Sequence, residues 1–211
     1  MKILIGAEKG GAGKSTLSAN LAVFLAHSGA DVVLVDTDTQ RSAANFVERR
    51  VDAGITPQIH CVQKTGDLGS TLRDLSARYQ VLVIDAGGRD SKELRTALSV
   101  ADLLLSPMQA SQLDLETLPK MNELVGLARG FNPNLQAYAV LFRAPSNPLT
   151  REVEEARALL ADFPEFRLAD TVIRDRKVYR DAMLQGRGVI EMDNGQARAE
   201  IQLLGGEFFE D

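Results

Sequence analysis

Nine residues, Glu8-Lys9-Gly10-Gly11-Ala12-Gly13-Lys14-Ser15-Thr16, constrain this chain more than any other stretch. They follow an apolar run, Lys2 to Ala7, and lead into a helical pattern over Ser15 to Ser28 that carries Leu17, Leu21, Phe24 and Leu25 and stops at Gly29. A glycine-rich turn between a strand and a helix lets successive backbone amides curl around a phosphate, and the helix N-terminus adds the positive end of a dipole. In such a loop Gly10, Gly11, Ala12, Gly13 and Thr16 form the cradle, Lys14 bridges the β- and γ-phosphate oxygens, and Ser15 offers a hydroxyl to Mg²⁺.

The rest of the chain alternates in the same way. Predicted strands are Lys2 to Ala7, Asp31 to Asp36, Gln58 to Val62, Gln80 to Asp85, Asp102 to Pro107, Gln136 to Phe142 and Thr171 to Ile173. Helical patterns cover Ser15 to Ser28, Gly66 to Tyr79, Asp90 to Val100, Leu113 to Arg129, Thr150 to Asp162, Asp175 to Gln185 and Asp193 to Glu210. Val32-Val33-Leu34-Val35 and Val81-Leu82-Val83-Ile84 are continuous apolar runs, which marks strands buried on both faces. The expectation is an α/β fold of three layers, a mostly parallel central sheet flanked by helices, in one domain over residues 1–211.

Composition removes several classes. A single cysteine, Cys61, cannot pair within the chain, and with His27 and His60 as the only histidines there is no ligand set for structural zinc or an iron-sulfur cluster. No apolar stretch is long enough to span a membrane and the N-terminus lacks a signal-peptide core, so a cytoplasmic location is expected. The net charge of −5 argues against a polyanionic partner only on average. Residues 167–188 carry a local +3 and the remainder −8.

Two strands end in carboxylates, at Asp36-Thr37-Asp38-Thr39-Gln40 and at Asp85-Ala86-Gly87-Gly88, and the carboxyl ends of parallel strands beside a phosphate loop face the ligand crevice. The loop itself departs from the ordinary G-x-x-x-x-G-K-[ST] pattern, with Glu8 in place of the first glycine and a second lysine, Lys9. This form resembles the deviant Walker A loop of the ParA/MinD family of ATPases, and the resemblance extends to short ParA proteins of the ParF type. It implies ATP and Mg²⁺ as cofactors and a homodimer that closes on ATP, with Lys9 reaching the other subunit's nucleotide.

By the same resemblance, Asp38 orients the attacking water, Asp36 and Asp85 serve the Mg²⁺ environment with Ser15, and Gly88 senses the γ-phosphate. A strand-end cap is the simpler alternative for Asp36. Arg143 and Arg174 stand where the family contacts adenine. Residues 103–114 resemble the family's strand, proline-bearing loop and helix start, with Asp114 as a helix-start carboxylate.

The resemblance leaves the target open. A basic cluster binds phosphate backbones without reading sequence, and doubling it in a dimer makes binding depend on ATP. Lys177, Arg180 and Arg187 are the candidate DNA contacts; local salt bridges on a solvated helix are the alternative. The implied protein binds DNA nonspecifically, is cytoplasmic and nucleoid-associated, and moves a plasmid, chromosome locus or protein assembly with a ParB-like adaptor that stimulates hydrolysis. A MinD-like membrane role is disfavoured by the tail at residues 201–211, which has no basic residue, so no direct membrane binding is expected. Metabolic relatives such as dethiobiotin synthetase and cobyrinic-acid amidases share the expected fold but lack the Lys9 signature.

Overall fold

Alternation within the strands decides the layering. In the computed structural model, which describes residues 1–88, 91–109, 117–147 and 151–209, successive strand residues enter opposite cores. Ile3, Ile5, Leu34, Val83, Leu103 and Leu105 face one side, whereas Leu4, Val33, Val35, Leu82, Ile84 and Leu104 face the other. Both faces are covered, as the continuous apolar runs predict.

The strands are β1 (Lys2–Ile5), β2 (Val32–Asp36), β3 (His60–Gln63), β4 (Val81–Asp85), β5 (Leu103–Met108), β6 (Gln136–Ala144), β7 (Arg167–Leu168) and β8 (Ile173–Arg174). They form one sheet in the order β3-β2-β4-β1-β5-β6-β7, with β8 also paired to β6, and the pairings are parallel. Four helices, α1 (Lys14–His27), α2 (Ser42–Asp52), α7 (Lys177–Gln185) and α8 (Gly195–Phe209), supply the first core through Leu17, Phe46, Ala182 and Ile201. On the other face lie α3 (Gly69–Ser76), α4 (Lys92–Leu98) and α5 (Thr117–Arg129), joined by Leu160 of α6 (Glu152–Leu160). This is the expected three-layer α/β fold.

Two elements depart from the sequence reading. Helix α2 is absent from the predicted elements because its buried face, Ala43, Ala44, Phe46, Val47 and Arg50, ends in an arginine where an apolar residue would complete the stripe. Strand β7 has only two residues, too short for any periodicity. Boundaries move for local reasons: α3 starts at Gly69 rather than Gly66 because Gly66 has φ +81° and the Asp67 carboxylate accepts the Gly69 N–H at 2.9 Å. The predicted strand Thr171 to Ile173 shifts to Ile173–Arg174. Asp114 and the predicted starts of three helices, at Asp90, Leu113 and Thr150, fall outside the described residues.

Phe208 packs edge-on against Tyr138 at a centroid distance of 4.8 Å, closing the first core at the tail. Burial, then the nearby Asp36 carboxylate, pushes the Cys61 thiol up to about 12, which disfavours the thiolate of this partly buried residue beside the first core. Among the described residues no helix is long and apolar enough to cross a membrane.

Candidate nucleotide site

Strand register brings the carboxylates together. Ile5 of β1 pairs with Asp85 of β4, and Asp85 pairs with Asp36 of β2, so three adjacent strands end at one level. Everything that follows these ends lines a single rim.

The loop after β1 turns on glycines. Gly11 and Gly13 have φ of +79° and +100°, and a Cβ at Gly13 would lie 2.4 Å from the Phe142 ring, so that position excludes a side chain twice over. Lys14 opens α1 and is only 7% exposed, with Nζ donating to the Lys9 carbonyl at 3.0 Å. Burial lowers its pKa, opposed by the negative charges of Asp85 and Asp38. Lys9 projects an exposed side chain from the same loop.

Asp85 is buried completely. It accepts side-chain hydrogen bonds from Ser15 and from Ser18, whose Oγ lies 3.0 Å from Oδ1, while its Oδ2 has no partner among the described residues. Burial pushes its pKa up to about 7; the Ser15 and Ser18 hydrogen bonds pull down, and neighbouring Asp36 pushes up. An orphaned carboxylate oxygen beside a P-loop hydroxyl suits a hard divalent cation. Among the described residues no trio of His, Cys, Asp or Glu gathers as a metal site, here or elsewhere. The fit is therefore to Mg²⁺, which takes few protein ligands alongside phosphate oxygens.

Asp36 and Asp38 have distinct surroundings. The Asp36 oxygens accept the backbone N–H of Asp38 at 2.9 Å and of Ala44 at 2.8 Å, tying the loop to the first turn of α2. That is a capping geometry. Asp38 Oδ1 accepts the Gln40 N–H at 2.9 Å, and its carboxyl lies beside Gly87. A side chain at Gly88 would start 3.4 Å from both the Gly10 nitrogen and Lys14 Nζ, so the β4 loop abuts the phosphate loop. Thr37 joins the two carboxylate loops: its N–H and Oγ donate to the Asp85 carbonyl at 3.1 and 3.0 Å, and its Oγ accepts the Gly87 N–H at 3.3 Å.

The open cleft beside Lys14 measures about 690 Å³ and is walled by Asp38, Gly88 and Arg143, by Ser42, Asn45 and Arg49 of α2, and by Arg180 of α7. Arg143 holds a left-handed backbone (φ +59°) and donates to the Gly11 carbonyl at 3.1 Å, reaching the phosphate loop itself. Arg174 turns to the Pro145 carbonyl at 2.7 Å instead.

The basic segment is largely engaged locally. Lys177 bonds Asp181 at 2.9 Å, Arg180 bonds Asp175 at 3.4 Å, and Arg176 forks onto Glu200 and Gln196. Arg187 is half-buried just beyond α7. Of the three candidate DNA contacts, Arg180 thus faces the nucleotide cleft. Sequence reasoning also missed Ser18, although its place one helical turn after Lys14 puts it on the same face. It missed the polar face of α2 altogether.

Comparison with known proteins bears on family and fold. Residues 1–129 match the family model described as ATPase MipZ, a span that includes the phosphate loop and both carboxylate loops. Maintenance of carboxysome distribution protein A of Gloeobacter kilaueensis is 31% identical over 90% of this chain and 84% of its own length. Its counterpart from Halothiobacillus neapolitanus is 29% identical over 87% and 84%. The structure of Cyanothece apo McdA superposes with a TM-score of 0.81 at 18% identity, covering 98% of each chain. Pyrococcus horikoshii MinD, solved with Mg-ADP, gives 0.70 at 18% identity over 96% of this chain and 93% of that one. With a family model spanning more than half its length and a relative above 30% identity, this chain belongs to the MipZ/ParA family of P-loop ATPases.

Proposed function

We propose that this chain binds ATP with Mg²⁺, closes as a homodimer over two nucleotides, and uses hydrolysis to release nonspecific DNA while positioning a cargo. The observation that carries the reading is the pair of lysines on one loop, with Lys14 buried against the Lys9 carbonyl and Lys9 exposed. Lys14 has the place of a cis phosphate ligand. Lys9 stands outside the core and can extend to a facing subunit, where its charge would stabilise the transferred phosphoryl.

The amides of Gly10, Gly11, Ala12, Gly13, Lys14, Ser15 and Thr16 cradle the phosphates, and Gly88 meets the γ-phosphate beside Lys14. Ser15 and Asp85 hold the Mg²⁺, which neutralises phosphate charge when bound. Asp36 keeps the loop and α2 in place, and Asp38 orients the attacking water. Arg143 steadies the loop at Gly11, and Arg174 shapes the base side through Pro145. The relatives' names speak of carboxysome distribution and, in Thermus thermophilus Soj, of a chromosome-partitioning ATPase. They support a cargo-positioning role; a single domain, a cytoplasmic location on the nucleoid and a partner protein that stimulates turnover complete the proposal.

Lys177, Arg180 and Arg187 are the proposed DNA contacts. The present partners of Lys177 and Arg180 are no obstacle, since exposed ion pairs contribute little and exchange readily for phosphate. The test is a DNA titration with ATP, ADP or no nucleotide at several salt concentrations. Binding should require ATP, weaken with salt at a log-log slope of about −0.9 per phosphate neutralised, and vanish in Lys9→Ala, which retains monomeric nucleotide binding. Equal binding in all three nucleotide states, or an ATP-induced dimer of Lys9→Ala by light scattering, would overturn the reading.

A further inference from the structure

Arg50 is a fully buried arginine at the far end of α2, remote from the phosphate loop and outside every motif described above. Its guanidinium makes four hydrogen bonds. Nε donates to the Pro57 carbonyl at 2.9 Å, Nη1 to the Gly186 carbonyl at 3.1 Å, and Nη1 and Nη2 grip the two oxygens of Glu191 at 2.8 and 2.7 Å. Glu191 is itself held by the Gly188 N–H at 2.9 Å and faces His27 Nε2 at 2.7 Å.

A large apolar side chain would fill this space without desolvating a charge, so the arginine is a poor choice if packing were the only demand. A planar fork with fixed donors does something packing cannot: it defines one relative position of the elements it joins. Those elements are α2 and the end of α7. Arg49 adds a bond to the Met183 carbonyl of α7 at 3.3 Å. Gly186, the left-handed cap of α7 (φ +66°), is pressed so closely that a Cβ there would lie 2.4 Å from the Arg50 nitrogen.

The other end of α2 is anchored at the nucleotide rim. Asp36, which shapes the loop carrying Asp38, accepts the Ala44 N–H in the first turn of the helix. A helix of this length is a rod of about 16 Å. One end therefore follows the Asp36–Gln40 loop, and the other is bolted to the helix that carries Lys177 and Arg180.

We propose that Arg50 is a positioning residue: through Glu191 and the Gly186 carbonyl it converts nucleotide-driven movement of the Asp36–Gln40 loop into movement of α7. This inference rests on the ATP reading above and adds to it the mechanical route from the nucleotide to the basic helix. A buried pair alone does not establish coupling, so the test must compare two states at both ends of the rod.

Amide hydrogen exchange of the full-length chain, with Mg²⁺ and a non-hydrolysable ATP analogue or without either, provides that comparison. In the unmodified protein the analogue should slow exchange over residues 10–16 and 36–40 and change it over 177–187. In Arg50→Lys and Glu191→Gln the response over 10–16 should persist while that over 177–187 falls at least threefold. Glu191→Gln preserves side-chain shape and carries the test where Arg50→Lys fails to fold. A purely structural role would speed exchange over 177–187 equally in both states and leave the nucleotide response intact, which overturns the proposal. So does an unmodified protein whose phosphate loop is protected while 177–187 stays silent. No protection at 10–16 in the unmodified protein overturns the ATP reading and the coupling with it.

Discussion

Replacing Asp85 by asparagine should give a nucleotide-free protein that melts higher than the original at pH 8 and no longer hydrolyses ATP. The two effects have one origin. Burial pushes the Asp85 carboxyl up to about 7 from the ordinary 3.8, against the hydrogen bonds from Ser15 and Ser18 and with a further push from Asp36. Between those values the folded chain binds a proton that the unfolded chain has already lost, so this group makes stability fall as pH rises, with the full penalty present above pH 7. A tenfold change in proton affinity between folded and unfolded chain is worth about 1.4 kcal/mol; for a wholly buried site next to another carboxylate, a net gain on the order of 2 kcal/mol from the neutral amide is the reasonable scale.

For a chain of this size that is roughly 4–8 °C. Thermal melts at pH 6 and pH 8 check it: the original protein should lose more stability across that interval than Asp85→Asn. Identical melting temperatures at pH 8 would show that the carboxylate carries no such penalty. Phosphate release should fall to background in the variant, because the oxygen proposed to hold Mg²⁺ is gone. That outcome would mean that the proposed site costs the empty protein stability, which bound nucleotide and cation would restore.

Asp38→Ala should have the second large effect. Its carboxyl lies beside Gly87 at the cleft, its Oδ1 accepts the Gln40 N–H, and its charge acts on Lys14. Removing it should spare nucleotide affinity while lowering turnover by about 10²-fold or more, the scale of a lost water-orienting base. With ATP present, the uncleaved nucleotide should hold two subunits together, so light scattering should report a dimer that persists. Turnover within a few-fold of the original would remove Asp38 from the chemistry, and a large loss of nucleotide affinity would reassign it to binding.

The phosphate loop and the carboxylate loops are legible in the sequence because backbone geometry restricts their residues so tightly. Only glycine tolerates the φ of Gly13 against Phe142, and only strand-end positions place Asp36 and Asp85 at one level. Helix α2 is illegible for the opposite reason. Arg50 occupies a core position that reads as polar until its partner Glu191 is known, and that partner lies 141 residues away. The basic segment promises more open charge than it delivers: counting charges over residues 167–188 says nothing of Glu200, which lies outside that window and claims Arg176. Arg143 and Arg174, adjacent in the expected base wall, diverge because one backbone is left-handed and the other continues a strand into a bond with Pro145. Pattern reports what a residue can do; partners distant in the chain decide what it does.

Thr37 has a wider bearing than its size suggests. By seating the end of β2 on the Asp85 carbonyl and the Gly87 amide, it fastens the loop that carries Asp38 to the loop that carries Gly88. On the proposed roles of Gly88 and Asp38, a shift at the γ-phosphate would be passed through Thr37 to the loop that orients the attacking water. Sensing and cleavage would then share one support, and the timing of the proposed cycle would be set outside it.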